Sequence, residues 1–328
     1  MAVVIPCHNE APSIAQVIRD FRQALPTALI VVADNASTDQ TAQIARREGA
    51  AVIPEIRLGK GRAVRRLFAD VDADIYVLAD GDGECDASVA PSMVAMVADG
   101  QCEMVIGKRI ADETERTYRP GHRLGNASLT WIFQKLFKLD ITDTLSGYRV
   151  ISRRLVKSLP SRAQGFEIEA ELNAHSAVMD VNIAEVPTRF VGRPAGDDSK
   201  LSTVKDGTRI LRLNLRLFRD ARPSLAFTLL AIPWFLATLW CAFVVWRNYD
   251  EAGTIISIPN LMGCFVFFMI GLTLLIAGIT MERITRNRNE AVLLAYLAQP
   301  APYQLSANSQ TVGHMAPNTG VRDTINVR

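Results

Sequence analysis

The sequence predicts an α/β fold followed by a membrane anchor, and three observations support this prediction. Short apolar runs that fit buried strands alternate with segments of helical periodicity through the first part of the chain. Such alternation predicts a parallel sheet with helices on both faces. Two uncharged segments follow, residues 224–246 and 258–281. At about 1.5 Å per residue, each can cross a hydrocarbon core of roughly 30 Å.

Composition narrows the class of protein further. The chain has 328 residues, 49% of them apolar, and a net charge of +2, so bulk charge does not indicate a nucleic-acid-binding protein. The five cysteines have no metal-ligand spacing, and we expect free thiols in a reducing compartment or in lipid. The first residues form a strand-like run without a signal-peptide pattern, which places the first part of the chain in the cytoplasm.

The first third of the chain contains five predicted strands, four of them followed by helices. Each strand is a short apolar run that ends at turn residues. The predicted strands are residues 2–5, 29–33, 51–53, 75–79 and 104–106. The predicted helices are residues 13–25, 40–48, 88–98 and one that runs from the glycines of 59–61 to residue 68.

The middle of the chain is less regular. Residues 109–123 are highly charged and predict a mobile loop, and the apolar spacing of residues 129–137 predicts an amphipathic helix. A polar turn at residues 143–149 precedes a strand at 150–151, and residues 165–169 open a helix with an acidic first turn. Residues 185–190 predict an edge strand, because Pro187 is tolerated at a sheet edge.

The strongest candidate site is the acidic stretch at residues 80–84, directly after the fourth strand. Asp80 and Asp82 are two residues apart in extended chain and therefore point the same way. Their oxygens suit a hard cation such as Mg²⁺ or Mn²⁺. An α/β sheet binds ligands at the carboxyl ends of its strands. An isolated pair of this kind is also typical of a solvated acidic turn, so the assignment depends on the other motifs.

Those other motifs resemble a known family. Residues 3–10, 34–39, 59–61 and 80–82 stand in the order and spacing of glycosyltransferase family 2. Residues 143–149, 165–169 and 186–189, with 199–201, are similar to its polyprenyl-phosphate branch, which includes dolichol-phosphate mannose synthases and bacterial glucosyltransferases that load undecaprenyl phosphate. The resemblance covers residues 2–222. It implies inverting transfer and the GT-A fold, a Rossmann-like mixed sheet with helices on both faces.

The resemblance also implies roles for individual residues. Those that match nucleotide-sugar-binding positions are Pro6, His8, Glu10, Asp34, Lys60, Asp80, Gly81, Asp82 and Arg109. Those that match metal ligands for Mg²⁺ or Mn²⁺ are Asp80, Asp82 and Glu84. The implied catalytic residues are Asp82 and Asp143, with Asp143 acting either as a weak base or as a positioning group. The basic residues implied at the acceptor phosphate are Arg189, Arg193 and Lys200. Two residues depart from the family pattern: Asn35 replaces the second of two aspartates, and Gly81 replaces a frequent alanine.

The last third of the chain predicts membrane attachment. Arginines recur at helical spacing before residue 222, which favours a basic amphipathic helix at a membrane surface. More arginines follow the second apolar segment, so the positive-inside rule predicts that both termini lie in the cytoplasm. The predicted location is the cell's inner membrane, which the chain crosses more than once. A buried helical hairpin in a soluble protein is the alternative interpretation.

The predicted domains follow from these features. They are a cytoplasmic catalytic domain at residues 1–202, an interface helix at 203–222, a transmembrane hairpin at 223–282 and a largely disordered cytoplasmic tail at 283–328. Within the catalytic domain, residues 1–108 form the nucleotide-binding half and 109–202 the acceptor half.

The predicted function is metal-dependent transfer of a sugar from a UDP- or GDP-sugar to a polyprenyl phosphate at the membrane. Partners are then the nucleotide sugar, the lipid and the membrane, and a homo-oligomer packed through the anchors is compatible with the subgroup. The alternatives are an enzyme of the same family with another membrane glycan acceptor, an inactive membrane-anchored nucleotide-sugar sensor, a processive polysaccharide synthase and a nicotinamide-dependent dehydrogenase. The polysaccharide synthase is disfavoured because the sequence has no Q-x-x-R-W stretch and no further spanning segments. The dehydrogenase is disfavoured because residues 6–10 follow the first strand in place of G-x-G-x-x-G.

Overall fold

A seven-stranded mixed sheet forms the centre of the first part of the chain. The computed structural model describes residues 1–110, 141–165, 167–189, 218–219, 222–253 and 258–301. The strands are β1 (Ala2–Cys7), β2 (Leu29–Asp34), β3 (Ala51–Pro54), β4 (Ile75–Leu78), β5 (Met104–Ile110), β6 (Arg149–Ser152) and β7 (Ile183–Arg189). Their order across the sheet is β3-β2-β1-β4-β6-β5-β7. The seven predicted strands are thus confirmed.

Eight α-helices accompany the sheet among the described residues. They are α1 (Ile14–Ala24), α2 (Thr41–Arg47), α3 (Lys60–Asp70), α4 (Ala90–Ala98), α5 (Arg153–Ser158), α6 (Ile168–Val178), α7 (Pro223–Ala252) and α8 (Ile258–Leu297). The sequence did not predict α5, a single short helix whose N-terminus is capped by the Ser152 hydroxyl, which accepts a hydrogen bond from the Leu155 backbone N–H.

The sheet is mixed because one strand reverses direction. β6 is antiparallel to both of its neighbours, β4 and β5, whereas the other pairs are parallel. The fully parallel sheet predicted from strand–helix alternation is therefore wrong, and the mixed sheet implied by the family resemblance is confirmed. The reversal arises because the chain enters β6 from the carboxyl edge of the sheet, through the polar loop at residues 141–148.

Helices cover both faces of the sheet, as predicted. Alternate residues of a strand belong to different core clusters: Val4 and Leu78 pack on one face, and Val3, Ile5 and Val77 pack on the other. β7 is an edge strand and contains Pro187, which agrees with the prediction for that segment.

The two long C-terminal helices pack against each other along close glycine contacts. A Cβ atom at Gly271 would lie 3.0 Å from the Phe235 ring, and one at Gly278 would lie 2.8 Å from the Cβ of Phe227. Both helices are long and apolar enough to cross a membrane, and only 11% of the most apolar window in each is buried. A hairpin in the core of a soluble protein would be mostly buried, so this exposure disfavours the alternative interpretation.

The predicted boundary of the tail differs from the structure. Residues 283–297, which were assigned to a largely disordered tail, continue α8 without interruption. Several predictions lie outside the described residues: most of the loop at 109–123, the amphipathic helix at 129–137, the basic residues Arg193 and Lys200, most of the interface helix at 203–222, and the tail from 302 onwards.

Candidate active site

The candidate active site lies where β1, β2 and β4 end at the carboxyl edge of the sheet. Cys7 at the end of β1 is paired with Asp34 at the end of β2, and Asp80 stands two residues beyond the end of β4. Since these strands are parallel neighbours, their ends open onto one surface. The polar residues predicted from three separate motifs therefore meet at the carboxyl ends of these central strands.

Four carboxylates surround the Cys7 side chain. Burial, followed by the negative charges of Glu10, Asp80, Asp34 and Asp82, raises the pKa of the Cys7 thiol well above its usual value. The electrostatic influence of all four on one buried sulfur shows that the structure brings the first, second and fourth strand motifs together. The thiol remains protonated and acts as a small apolar group at the floor of the site.

A buried lysine connects this cluster to a carboxylate that the sequence analysis did not single out. Lys60, the first residue of α3, donates hydrogen bonds from Nζ to Asp80, with distances of 2.7 Å to Oδ1 and 2.9 Å to Oδ2. The same Nζ lies 2.7 Å from Oε1 of Glu169 on α6. Among the described residues, Glu169 Oε2 is buried and has no hydrogen-bond partner. Lys60 is thus the ion-pair partner of Glu169 at this position.

The two carboxylates keep Lys60 charged. Burial by itself lowers the pKa of Lys60, but the charges and hydrogen bonds of Asp80 and Glu169 outweigh burial and raise it above its usual value. The site thus contains a fixed cation between two anions, held by α3, by the loop after β4 and by α6. Removing one partner from such a buried pair would leave an uncompensated charge.

The backbone at Gly147 passes directly over this ion pair. A Cβ atom at Gly147 would lie 2.3 Å from Asp80 Oδ2 and 2.9 Å from Lys60 Nζ. Only a residue without a side chain fits there without moving the carboxylate. The motif at residues 143–149 therefore contributes a close backbone approach to the acidic cluster as well as its charged side chains.

Asp143 forms a bidentate ion pair with Arg109, which lies near the end of β5. Arg109 donates from Nε to Oδ2 and from Nη2 to Oδ1, both at 2.8 Å. Burial raises the pKa of Asp143, but the hydrogen bonds and charge of Arg109 outweigh burial, so the pKa lies below its usual value. A carboxylate held in this way is a poor proton acceptor, which favours the positioning role over the role of a base.

The loop that carries Asp143 is held in place by Arg149, which is fully buried at the start of β6. Its guanidinium donates to the backbone oxygens of Ser146 (2.9 Å) and Thr144 (3.1 Å) and to Oδ1 of Asn173 on α6 (2.6 Å). Burial lowers the pKa of Arg149 to about 10, so the side chain remains charged near neutral pH. Arg149 and Asn173 thus fix the loop that precedes β6 against α6.

The departure at Asn35 has a structural reason. Its amide nitrogen donates to the backbone oxygens of Glu55 (3.3 Å) and Arg57 (2.8 Å), and its Oδ1 accepts from the Gly59 backbone N–H at 2.6 Å. An aspartate could not donate to the two carbonyls. Asn35 therefore holds the β3–α3 loop, which leads directly to Lys60.

The departure at Gly81 is explained by its neighbour on β1. A Cβ atom at Gly81 would lie 2.4 Å from Cys7 Sγ. The alanine that is frequent at this position in the family would overlap with the thiol, so a cysteine at position 7 requires a glycine at position 81. The Gly81 carbonyl also accepts a 2.6 Å hydrogen bond from the Ser13 hydroxyl, which fixes the loop that carries Asp82.

The remaining predicted residues occupy the rim of the site. His8 Nδ1 lies 2.8 Å from the Asn35 carbonyl oxygen, so the ring donates this bond from a protonated Nδ1. Glu84 follows Asp82, and its backbone N–H donates to Asp82 Oδ1 at 3.2 Å. Arg189 is exposed at the end of β7, opposite Ile110 of β5.

The acidic side chains of the described residues do not form a complete metal-binding site by themselves. Within the described part of the chain, no three His, Cys, Asp or Glu side chains gather in an arrangement that could hold a metal ion. Asp80 and Asp82 nevertheless suit one, because Mg²⁺ and Mn²⁺ are commonly held by one or two carboxylates together with phosphate oxygens of a substrate. The donor set thus fits a divalent cation that is bound jointly with a diphosphate.

Comparison with known proteins agrees with this site. A family model described as Glycosyl transferase family 2 matches residues 2–159. Glycosyltransferase AglJ of Haloferax volcanii is 34% identical over 225 residues, which cover 68% of this chain and 73% of the relative. The dolichyl-phosphate hexose transferase of the same organism is 30% identical over 210 residues, covering 64% of this chain and 90% of the relative.

Solved structures confirm the type of fold. The crystal structure of glucosyl-3-phosphoglycerate synthase from Mycobacterium tuberculosis, in complex with Mn²⁺, UDP-glucose and phosphoglyceric acid, superposes with a TM-score of 0.54. The match covers 67% of this chain and 79% of that one, at 24% sequence identity. At this identity the likeness is one of fold. The GT-A arrangement expected from the sequence is thereby confirmed.

The contact between Gly81 and Cys7 makes a prediction about stability. Gly81→Ala should lower the free energy of unfolding by about 1–3 kcal/mol, because it overpacks the floor of the site. The loss should be much smaller in a Cys7→Ala background, where the opposing sulfur is gone. The measurement is thermal unfolding of the four detergent-solubilised variants. An equal loss in both backgrounds would show that a Cβ atom at position 81 does not contact the Cys7 sulfur.

The ion pair of Asp143 and Arg109 makes a prediction about pH. Since the pKa of Asp143 is lowered in the folded protein, the pair stabilises the fold fully above the ordinary aspartate pKa of about 4 and loses its effect as pH falls through the lower folded value. The melting temperature of Arg109→Gln should thus lie below that of the wild type near neutral pH, and the gap should narrow under acid conditions. A gap that is constant with pH would contradict the assignment.

Proposed function

Because the chain belongs to glycosyl transferase family 2, we propose that it transfers a sugar from a nucleotide sugar to a polyprenyl phosphate at the cytoplasmic face of a membrane. The observation that carries this proposal is the presence, in one chain, of a GT-A site and two exposed helices of membrane-spanning length. The similarity to a dolichyl-phosphate hexose transferase supports the same class of acceptor. An enzyme whose acceptor has its hydrocarbon tail in the bilayer has to work at the bilayer surface.

The proposed reaction is a displacement at the anomeric carbon of the sugar. An oxygen of the acceptor phosphate attacks this carbon, the bond from the carbon to the nucleoside diphosphate breaks, and its electron pair leaves with the diphosphate. The acceptor needs little activation by a base, since the second pKa of a phosphate monoester is about 6 and the group is largely ionised near neutral pH. The products are a polyprenyl-phosphate sugar and a free nucleoside diphosphate.

The proposed donor side of the site neutralises the leaving group. Asp80 and Asp82 would hold Mg²⁺ or Mn²⁺, which supplies Lewis-acid stabilisation of the departing diphosphate. Lys60 adds a second, permanent positive charge, and its position is fixed by Asp80 and Glu169. A preorganised cation of this kind stabilises developing negative charge without having to reorient during the reaction. His8, Glu10 and Asp34 lie where the base and ribose would bind.

The proposed acceptor side is built from two neighbouring strand ends. Arg109 on β5 pairs in register with Thr188 on β7, and Ile110 pairs with Arg189, so the two arginines lie at the same end of the sheet at positions that alternate between its faces. These guanidinium groups would counter the repulsion between the acceptor phosphate and the donor diphosphate. Asp143 then acts as a positioning residue, because it orients the Arg109 guanidinium through two hydrogen bonds.

The proposed orientation in the membrane follows from charge. Arg222 precedes α7, and Arg283, Arg286 and Arg288 follow the apolar part of α8 at the same end of the hairpin. The excess of positive charge at this end supports the proposal that it is the cytoplasmic one. The domain boundaries, a role for Arg193 and Lys200 at the acceptor, and a homo-oligomer packed through the anchors remain predictions.

The proposal is tested by assaying sugar transfer directly. Detergent-solubilised protein would be incubated with Mn²⁺ or Mg²⁺, undecaprenyl phosphate and labelled UDP- or GDP-sugars, and label entering the organic phase would be measured. Asp82→Asn should reduce the rate by about 10²–10³-fold, because it removes a ligand that stabilises the departing charge. Asp20→Asn, on the exposed surface of α1, is the matched control and should keep the wild-type rate.

Two results would count against the proposed function. One is full activity of Asp82→Asn, which would remove the metal-binding carboxylate from the mechanism. The other is the absence of label in the lipid fraction with every nucleotide sugar tested, although the sugar is bound or hydrolysed by the wild-type protein. The second result would point to an acceptor other than a polyprenyl phosphate.

A further inference from the structure

The second membrane helix is about twice as long as a bilayer requires. α8 contains 40 residues, so it is about 60 Å long at 1.5 Å per residue, compared with a hydrocarbon core of roughly 30 Å. Near its midpoint, Glu282 accepts hydrogen bonds from the backbone N–H and hydroxyl of Ser224 in the first turn of α7, at 3.4 and 3.1 Å. The helix continues past this point, beyond the start of α7.

This continuation, residues 283–297, is called the strut here. It contains no proline or glycine, so nothing in its sequence favours a kink. It is roughly 22 Å long and leads from the cytoplasmic end of the hairpin to the catalytic domain. Its apolar residues are divided between two environments: Tyr296 is 7% exposed, whereas Leu294 and Leu297 are 68% and 64% exposed.

The end of the strut is held by a contact with the catalytic domain. The Arg154 guanidinium lies 4.7 Å from the centre of the Tyr296 ring, a distance typical of a cation–π interaction. Arg154 also forms an ion pair with Glu103, the residue before β5. We call these three residues, Tyr296, Arg154 and Glu103, the latch. Tyr296 itself packs into the same core cluster as Leu155 of α5.

The latch lies at the amino ends of β4 and β5, whereas the candidate active site lies at the carboxyl ends of the strands. Arg153, beside Arg154, donates its backbone N–H to the Asp74 carbonyl just before β4, whereas Asp80 follows the end of β4. The six residue steps from Asp74 to Asp80 correspond to about 20 Å of extended chain. The latch is therefore separated from Asp80 by about the length of β4.

We propose that the strut and its latch fix the catalytic domain to the membrane anchor, so that the active site is presented to an acceptor phosphate at the bilayer surface. A catalytic domain on a flexible tether would sample many orientations, few of which place the site at the membrane. A fixed connection raises the effective concentration of the site for an acceptor in the same bilayer. Tyr296 and Arg154 are then positioning residues that act on the lipid acceptor alone. The role assigned to the acceptor rests on the proposed function, but the mechanical role of the strut does not.

The mechanical role is tested by hydrogen exchange of the full chain in lipid nanodiscs. Tyr296→Ala removes the ring that Arg154 covers, and it should accelerate amide exchange in residues 283–297 while residues of the membrane segment stay protected. Leu294→Ala, an exposed position on the same helix, is the matched control and should leave exchange unchanged. Unchanged exchange in Tyr296→Ala would overturn the proposal.

The positioning role is tested with two acceptors. One is undecaprenyl phosphate in the nanodisc, and the other is a ten-carbon prenyl phosphate that dissolves in water. Tyr296→Ala should slow transfer to the nanodisc acceptor by about tenfold or more, as expected for the loss of a favourable effective concentration. Transfer to the soluble acceptor should stay at the wild-type rate. Tyr296→Phe keeps the ring and should behave like the wild type with both acceptors.

The outcomes separate the two proposals. Equal slowing with both acceptors, or no slowing with either, would overturn the positioning role. If Tyr296→Ala does not fold, Arg154→Gln removes the cation and leaves Tyr296 in the core, and the same comparisons apply. If the wild type transfers sugar to neither acceptor, the proposed function fails, while the exchange experiment still confirms or rejects the strut.

Discussion

The architecture of the active site depends on one buried cation. Lys60 lies between Asp80 and Glu169 and brings together the start of α3, the loop after β4 and α6. A buried ammonium is tolerated only when its charge is compensated, so the three elements have to meet at this point. The contact joins parts of the chain that are about 90 residues apart in sequence, Asp80 and Glu169. It also fixes the Asp80 carboxylate, against which the backbone of Gly147 then packs.

Most of the fold could be predicted from the sequence because its strands are short apolar runs with polar residues at their ends. The position of Asp80 after β4 was enough to place it at the ligand-binding edge. The ion pair between Lys60 and Glu169 could not be predicted. Glu169 is far from Lys60 in sequence and resembles any acidic residue in the first turn of a helix. The strand–helix pattern did not indicate the reversal of β6 for a similar reason, although the family resemblance implied a mixed sheet. The direction of β6 is set by the loop that Arg149 and Asn173 hold, and such contacts leave no periodic pattern.

The last part of α8 differs from the expected disordered tail. Residues 283–290 are mostly polar and resemble the start of a tail, and the apolar run at residues 291–297 does not by itself indicate which part of the chain it contacts. Their helical structure is stabilised by a contact at one end, where Tyr296 packs against α5, and by the preceding membrane helix at the other. In contrast, the two departures from the family motifs at Asn35 and Gly81 were visible in the sequence. Their reasons became clear only from the carbonyls that Asn35 holds and the sulfur that Gly81 faces.

The central claim is that the divalent cation and the nucleoside diphosphate complete each other's site, since Lys60 already occupies one side of Asp80 and the described residues provide no closed metal cage. Binding of the two ligands should then be coupled, and the coupling must be the same in both directions. The most direct test is a Mn²⁺ titration of the purified chain, followed by electron paramagnetic resonance, with and without UDP or GDP. The account predicts that one of these nucleotides raises the affinity for Mn²⁺ about tenfold or more. An affinity for Mn²⁺ that neither nucleotide changes would contradict it.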